Sequence, residues 1–194
     1  MRSKLSLASL SAVLMAALPT AALAHPGHEQ TSSFMQGIGH PFSGIDHVLA
    51  MVMIGLFAVQ LGGRAIWALP LTFVSFMALG SLSGAAGIAP SLVEIGIGVS
   101  VVVLGGLIAM QVRLPVIAAT ALAAAIALFH GYAHGAEAQG GVSIPYLAGF
   151  LTGTAALHGG GIAAGLGLAR TGGRLGTRVA GGLAAATGMF LVAG

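Results

Sequence analysis

The first long apolar stretch of the chain begins with two histidines and a carboxylate, His40, Asp46 and His47. Pro41 lies between them, and a turn there would fold His40 back over the other two side chains. Imidazole nitrogen and carboxylate oxygen suit a borderline divalent transition metal. Two plainer interpretations stay open: Ser43 or Asp46 caps a helix, and the histidines are solvated residues at a membrane interface.

A second set of donors, His130, His134 and Glu137, follows the spacing i, i+4 and i+7. On a continuous helix these side chains share one face, which is how paired histidines hold a metal ion. The alternative is a helix end among lipid headgroups, where Tyr132 would also be favourable. Two intervening glycines could fray the helix and separate the donors.

Two further ionisable residues, Glu94 and His158, lie inside apolar stretches. A carboxylate there is costly, so Glu94 is expected to face a cavity or an ion path, unless it caps a helix or reaches the headgroups. Three glycines, 159–161, follow His158. They either break the helix or, as we favour, pack against a neighbouring helix. His158 itself fits a relay, an inner metal position or a hydrogen-bonded core residue.

The composition is that of a membrane protein, with 57% hydrophobic and 6% charged residues against about 25% charged in soluble domains. Seven basic and four acidic residues predict no nucleic-acid partner. The absence of cysteine excludes disulfides and thiolate metal sites. The 32 glycines predict close contacts between helices.

Residues 1–24 have the pattern of a signal peptide: a basic start, an apolar core and a small-residue motif ending at Ala24. An uncleaved anchor is the alternative. Residues 25–43 would form an exported segment carrying His25 and His28, which either trap metal ions or belong to a solvated leader.

Residues 44–194 are predicted to form an all-α, polytopic membrane domain, a six-helix transmembrane bundle, because six apolar segments each approach the roughly 20 residues that cross a bilayer. The segments are Gly44–Leu61, Ala65–Ser83, Leu92–Met110, Leu114–Gly131, Ile144–Leu168 and Val179–Ala193.

The basic residues predict the orientation. All those after the signal peptide lie in the loops that follow segments one, three and five, namely Arg64, Arg113, Arg170, Arg174 and Arg178. The positive-inside rule places these loops in the cytoplasm and the mature N-terminus in the periplasm of a bacterial inner membrane. Nearly all histidines and carboxylates then lie on the outer side, which predicts collection of a cation from outside.

Both motifs resemble the signatures of the HupE/UreJ family: His40 followed by Asp46-His47, and the run from Phe129 to Glu137. The resemblance covers essentially the whole chain. It implies a permease for nickel or cobalt associated with hydrogenase or urease maturation. It also implies metal-handling roles for His40, Asp46, His47, His134 and Glu137, with His130 beside them, and matches Glu94 and Phe73 to a family acidic and a family aromatic position.

The expected function is therefore uptake of Ni²⁺ or Co²⁺ as cargo by a secondary permease, with no resident cofactor and no enzymatic activity. The lipid bilayer and the metal ion are the expected partners, and a homo-oligomer is compatible with the sequence. One alternative is a membrane protein that binds metal without transporting it. A weaker one is an intramembrane serine protease that uses Ser83 and His158, since the run from Ser81 to Gly84 is near a Gly-x-Ser-Gly pattern.

Overall fold

The computed structural model describes residues 33–87, 92–137, 142–171 and 173–193. They form seven α-helices, and these ranges contain no β-strand. The predicted signal peptide and the histidines of the exported tail lie outside the described residues. The helices are α1 (Phe34–Gly39), α2 (Ile45–Leu61), α3 (Ala65–Ala85), α4 (Val93–Ala109), α5 (Val116–Glu137), α6 (Ile144–Thr171) and α7 (Gly173–Ala193).

The six predicted segments correspond to α2–α7, and the all-α class is confirmed. Two boundaries differ by six residues and the others by at most three: α5 continues to Glu137, and α7 already begins at Gly173. The short helix α1 was not predicted. Its sequence signal is a capping box in which Ser33 and Gln36 bond each other's backbone N–H groups.

The described residues contain three or four candidate membrane spans. By length and composition, α3, α5 and α7 can cross a bilayer. A fourth candidate is the stretch that joins Phe34–Phe42 to α2, if it forms one bent span. The two parts meet at an angle of 86°. Helix α4 is apolar but has only 17 residues. The structure therefore supports a multi-pass membrane protein, and the count of six spans stays a prediction.

Glycines bring the described helices into backbone contact in four pairs: α1 with α6, α2 with α6, α3 with α5, and α4 with α7. A Cβ atom on Gly161 would collide with a carbonyl of α2, and one on Gly131 with a carbonyl of α3. One on Gly181 would lie 2.7 Å from the carbonyl oxygen of Gly105. Small residues allow such approach where no hydrophobic effect drives helices together. The expected close contacts are thus observed.

The two ends of the bundle differ in chemistry. At one end, Gln60 Nε2 donates to the carbonyl of Val112 at 2.9 Å, and Gln111 Nε2 donates to Gln60 Oε1 at 3.1 Å and to Thr177 Oγ1 at 3.2 Å. Arg178 Nε donates to a carbonyl at the end of α4. All five arginines of the described residues lie in the connections or helix turns at this end. The three carboxylates of the described residues, Asp46, Glu94 and Glu137, lie at the other end.

Candidate metal centre

A sharp bend in the chain brings His40 close to His134. After α1 the chain makes a 3₁₀ turn, His40–Phe42, and enters α2 at 86° to its previous direction. Ser43 Oγ donates to the His40 carbonyl at 2.7 Å and secures the turn. The ring of His40 thereby comes to 4.5 Å from that of His134, between centroids. The turn at Pro41 therefore brings His40 to His134 of α5 and to Tyr146 of α6.

The first residues of α2 form a hydrogen-bonded pair. Asp46 Oδ1 accepts from the backbone N–H and from the ring Nδ1 of His47, both at 2.8 Å. The expected cap by Ser43 or Asp46 is wrong: the N-cap is Gly44, with no side-chain cap bond. The physical reason is competition, because His47 occupies the carboxylate and the His40 carbonyl occupies the serine.

The second donor set lies on an unbroken helix. Helix α5 stays α-helical from Val116 to Glu137, so His130, His134 and Glu137 share a face. The expected fraying does not occur, because Gly131 and Gly135 pack directly on carbonyl groups of α3.

The two sets converge at one end of the bundle. Glu137 Oε2 lies 3.4 Å from His40 Nε2 and 3.9 Å from His134 Nδ1. One ligand atom from each of these three residues lies within 4.8 Å of the others. The ring of His47 lies 4.1 Å from that of His134 and 4.8 Å from that of His130. Four imidazoles and two carboxylates therefore form one cluster, which we call the outer centre: His40, Asp46, His47, His130, His134 and Glu137.

The imidazoles of the outer centre carry unpaired nitrogens. His130 and His134 are at most 1% exposed, and among the described residues His47 Nε2, His130 Nδ1 and both nitrogens of His134 lack a hydrogen-bond partner. Buried polar atoms normally find partners. An incoming cation would require such unused lone pairs in a buried polar cluster.

Ser100 orients His130. Its hydroxyl donates to the Ile97 carbonyl at 2.6 Å and lies 2.9 Å from His130 Nε2. A hydroxyl has one proton to donate; with that proton on the Ile97 carbonyl, the Ser100 oxygen accepts from Nε2–H and Nδ1 keeps its lone pair. Sequence reasoning did not identify this serine. The signal available in the sequence was a hydroxyl-bearing residue inside the otherwise apolar helix α4.

A cleft of about 480 Å³ opens beside the outer centre. It is lined by Asp46, His47 and Glu137 and, on its far side, by Glu94 in the first turn of α4. Glu94 is exposed and makes no ion pair with the other described residues. The structure thus brings six of the seven predicted metal residues into one cluster and places the seventh on the wall of the adjoining cleft.

Two aromatic residues adjoin the outer centre. Phe73 of α3 is fully buried, with its ring 6.1 Å from that of His130. Tyr146 of α6 lies 5.6 Å from His40 between ring centroids, and its buried hydroxyl has no partner among the described residues. Sequence reasoning missed Tyr146, which resembles an ordinary interfacial tyrosine at a helix start.

The predicted serine–histidine pair of a protease is not formed. Ser83 Oγ donates to the Gly80 carbonyl of its own helix. His158 lies at the level of Phe73, ten residues earlier in α3, hence about 15 Å away along the helix axis.

These features define a class: an all-α, multi-pass membrane protein with a cluster of nitrogen and oxygen donors open to one end of its bundle. The chain belongs to the HupE/UreJ family. The family model, described as HupE / UreJ protein, matches residues 13–191. The chain is 44% identical over 183 residues to Protein HupE of Rhizobium leguminosarum bv. viciae, which covers 92% of this chain and 93% of that protein. No solved structure gives a significant match. The resemblance stated from the two motifs is confirmed.

Proposed function

We propose that this protein is a permease that carries Ni²⁺ or Co²⁺ from the periplasm to the cytoplasm and supplies the maturation of hydrogenase or urease. The proposal includes six spans, a bacterial inner membrane and a periplasmic mature N-terminus. The ion is cargo, and the seven residues from His40 to Glu137 named above are its proposed first contacts.

The observation that carries this proposal is the convergence of four imidazoles and two carboxylates beside an open cleft. Nitrogen and oxygen donors of this kind suit borderline divalent metals. A structural site would be closed around its ion, with every donor position filled. Here Glu137 is exposed and the cleft reaches the cluster, so an ion could enter and exchange its waters stepwise.

The distribution of charged residues between the two ends of the bundle supports the proposed direction of transport. The described arginines lie at the end of the bundle opposite the outer centre. Arginine-rich loops favour the cytoplasm, which would leave the outer centre facing the periplasm. The carboxylates Glu94 and Glu137 line the cleft and would attract a hydrated cation before it reaches the imidazoles.

Transport is tested by uptake. Proteoliposomes that contain the protein should accumulate radioactive nickel or cobalt, and His47→Ala should abolish accumulation while the protein remains in the membrane. Ser75→Ala, an exchange on an exposed face of α3, serves as the control and should transport like the wild type. Binding without accumulation would contradict the transport proposal and favour a metal-binding accessory protein. Full uptake by the His47 variant would contradict the site.

A further inference from the structure

One ionisable side chain lies deep in the bundle and outside the outer centre: His158 of α6. It is 1% exposed, and neither ring nitrogen has a hydrogen-bond partner among the described residues. A hydrogen-bonded core histidine would have at least one. An unpaired imidazole in a membrane interior is costly, and such residues usually mark a path for ions or protons.

A single face of α6 connects His158 with the outer centre. Tyr146, Phe150, Thr154 and His158 are all buried and spaced four residues apart, so they follow one buried stripe that shifts by about 40° around the helix at each step. The ring of Phe150 lies 4.7 Å from that of His134. Since a helix rises about 1.5 Å per residue, His158 lies about 12 Å further towards the arginine-bearing end than Phe150.

Helix α3 supplies the facing surface. The ring of Phe73 lies edge-on to that of His158 at 5.0 Å and also lies 6.1 Å from His130. Phe73 thus lies beside both an imidazole of the outer centre and the deeper one. One turn closer to the outer centre, Thr154 Oγ1 lies 3.6 Å from the sulfur of Met77. Oxygen and sulfur atoms that could contact a cation are therefore also present where α3 and α6 meet.

We propose that His158 is an inner binding residue for the transported divalent cation, separated from the outer centre by the ring of Phe73. The inference rests on the proposed function. A single imidazole holds an ion weakly and leaves its other positions to water. Several weak, exchangeable positions are what a conducting path needs, because a tightly held ion would not leave. Phe73 carries no donor atom, so its part is to separate the two positions.

A purely structural role makes a different prediction. The edge-on contact would let one His158 N–H point at the ring of Phe73, a weak interaction that leaves the second nitrogen unpaired. In that case the imidazole would contribute only packing. Phenylalanine at position 158 would then serve as well as histidine.

The test measures binding and transport separately. Purified protein in lipid nanodiscs is titrated with Co²⁺ alone by equilibrium dialysis, and uptake is measured in proteoliposomes. We expect the wild type to bind in a tighter and a weaker class. His158→Gln and His158→Phe should each remove the weaker class and lower uptake at least about tenfold, the loss typical for even a supporting residue of a metal site. Leu157→Met, a volume-conserving exchange at the neighbouring position, is the matched control and should change neither.

The outcomes separate the two proposals. If either His158 variant that folds keeps both binding classes and full uptake, the inner position is refuted and the permease proposal stands. The same holds if the wild type binds cobalt in one class only. If the wild type neither binds nor accumulates the metal, the proposed function itself fails. His158→Phe guards against misfolding of the glutamine variant, because it preserves an apolar contact with Phe73.

Discussion

Asp46 holds the ring of His47 by a 2.8 Å hydrogen bond from Nδ1 to Oδ1, while the neighbouring backbone N–H binds the same oxygen. A carboxylate can only accept, so Nδ1 carries the proton and Nε2 keeps its lone pair. That nitrogen is buried and has no partner among the described residues. The pair has the form of a metal-binding histidine and its orienting carboxylate.

Removal of the Asp46 carboxylate should therefore weaken metal binding through His47. We expect Asp46→Ala to lower the affinity for Ni²⁺ by about 10–100-fold, the usual cost of losing such a partner. Asp46→Asn keeps an oxygen that can accept from Nδ1 and should lose less. Binding titrations give the affinities, and nitrogen NMR of His47 gives the tautomer. Equal losses in both variants would identify Asp46 as a direct, charged ligand instead.

Glu137 links His40 to His134, and its neutralisation should disrupt that link. Glu137→Gln keeps the shape but removes the charge that lies 3.4 Å from His40 Nε2. We expect nickel uptake at least about tenfold lower, since charged donors bind cations more strongly than neutral amides. Uptake by proteoliposomes measures this. Ser75→Ala, on an exposed face of α3, is the control, and an equal effect there would argue against a specific role for Glu137.

Glu94 should act on capture rather than on the bound ion, because it lines the cleft and makes no ion pair with the described histidines. Glu94→Gln is expected to raise the metal concentration for half-maximal uptake at low ionic strength and to change the equilibrium affinity of the outer centre little. The difference should shrink in salt, which screens exposed charges over about 8–10 Å. A large loss of equilibrium affinity would place Glu94 among the ligands.

Acidification should weaken metal binding. Metal and proton compete for the same imidazole lone pairs, so affinity falls as the pH falls and each bound ion displaces more protons at lower pH. Equilibrium binding in detergent measures this without any contribution from energy coupling, and a pH indicator in weak buffer counts the protons released. An affinity that stays constant from neutral to mildly acid pH would contradict competition between protons and the metal ion.

The three consecutive glycines of α6 should differ in their tolerance of alanine. A Cβ atom on Gly161 would meet the backbone carbonyl of Val52, whereas one on Gly159 or Gly160 would meet nothing within 4 Å. We expect Gly161→Ala to lower the free energy of unfolding by about 1–3 kcal/mol, as for overpacking. Gly159→Ala should be neutral or stabilise by at most about 1 kcal/mol. Thermal unfolding in detergent compares the two, and equal effects would contradict the packing.

The sequence itself determined the helical class, four of the six predicted segments to within three residues at either end, and the separation of arginines from carboxylates. These follow from hydrophobic length and residue type, which are properties of a local stretch. It also placed His130, His134 and Glu137 on one face, because helical spacing alone fixes that relation. Helix α5 was predicted six residues too short, since the packing that keeps Gly131 helical is not local.

Only the tertiary structure decided which donors meet. His40 reaches Glu137 across 97 positions of sequence because the chain bends at residue 43 and α1 packs on α6. Ser100 orients His130, and Phe73 lies beside both His130 and His158, because glycines let distant helices touch. Such contacts depend on the packing of whole helices, which no local pattern specifies.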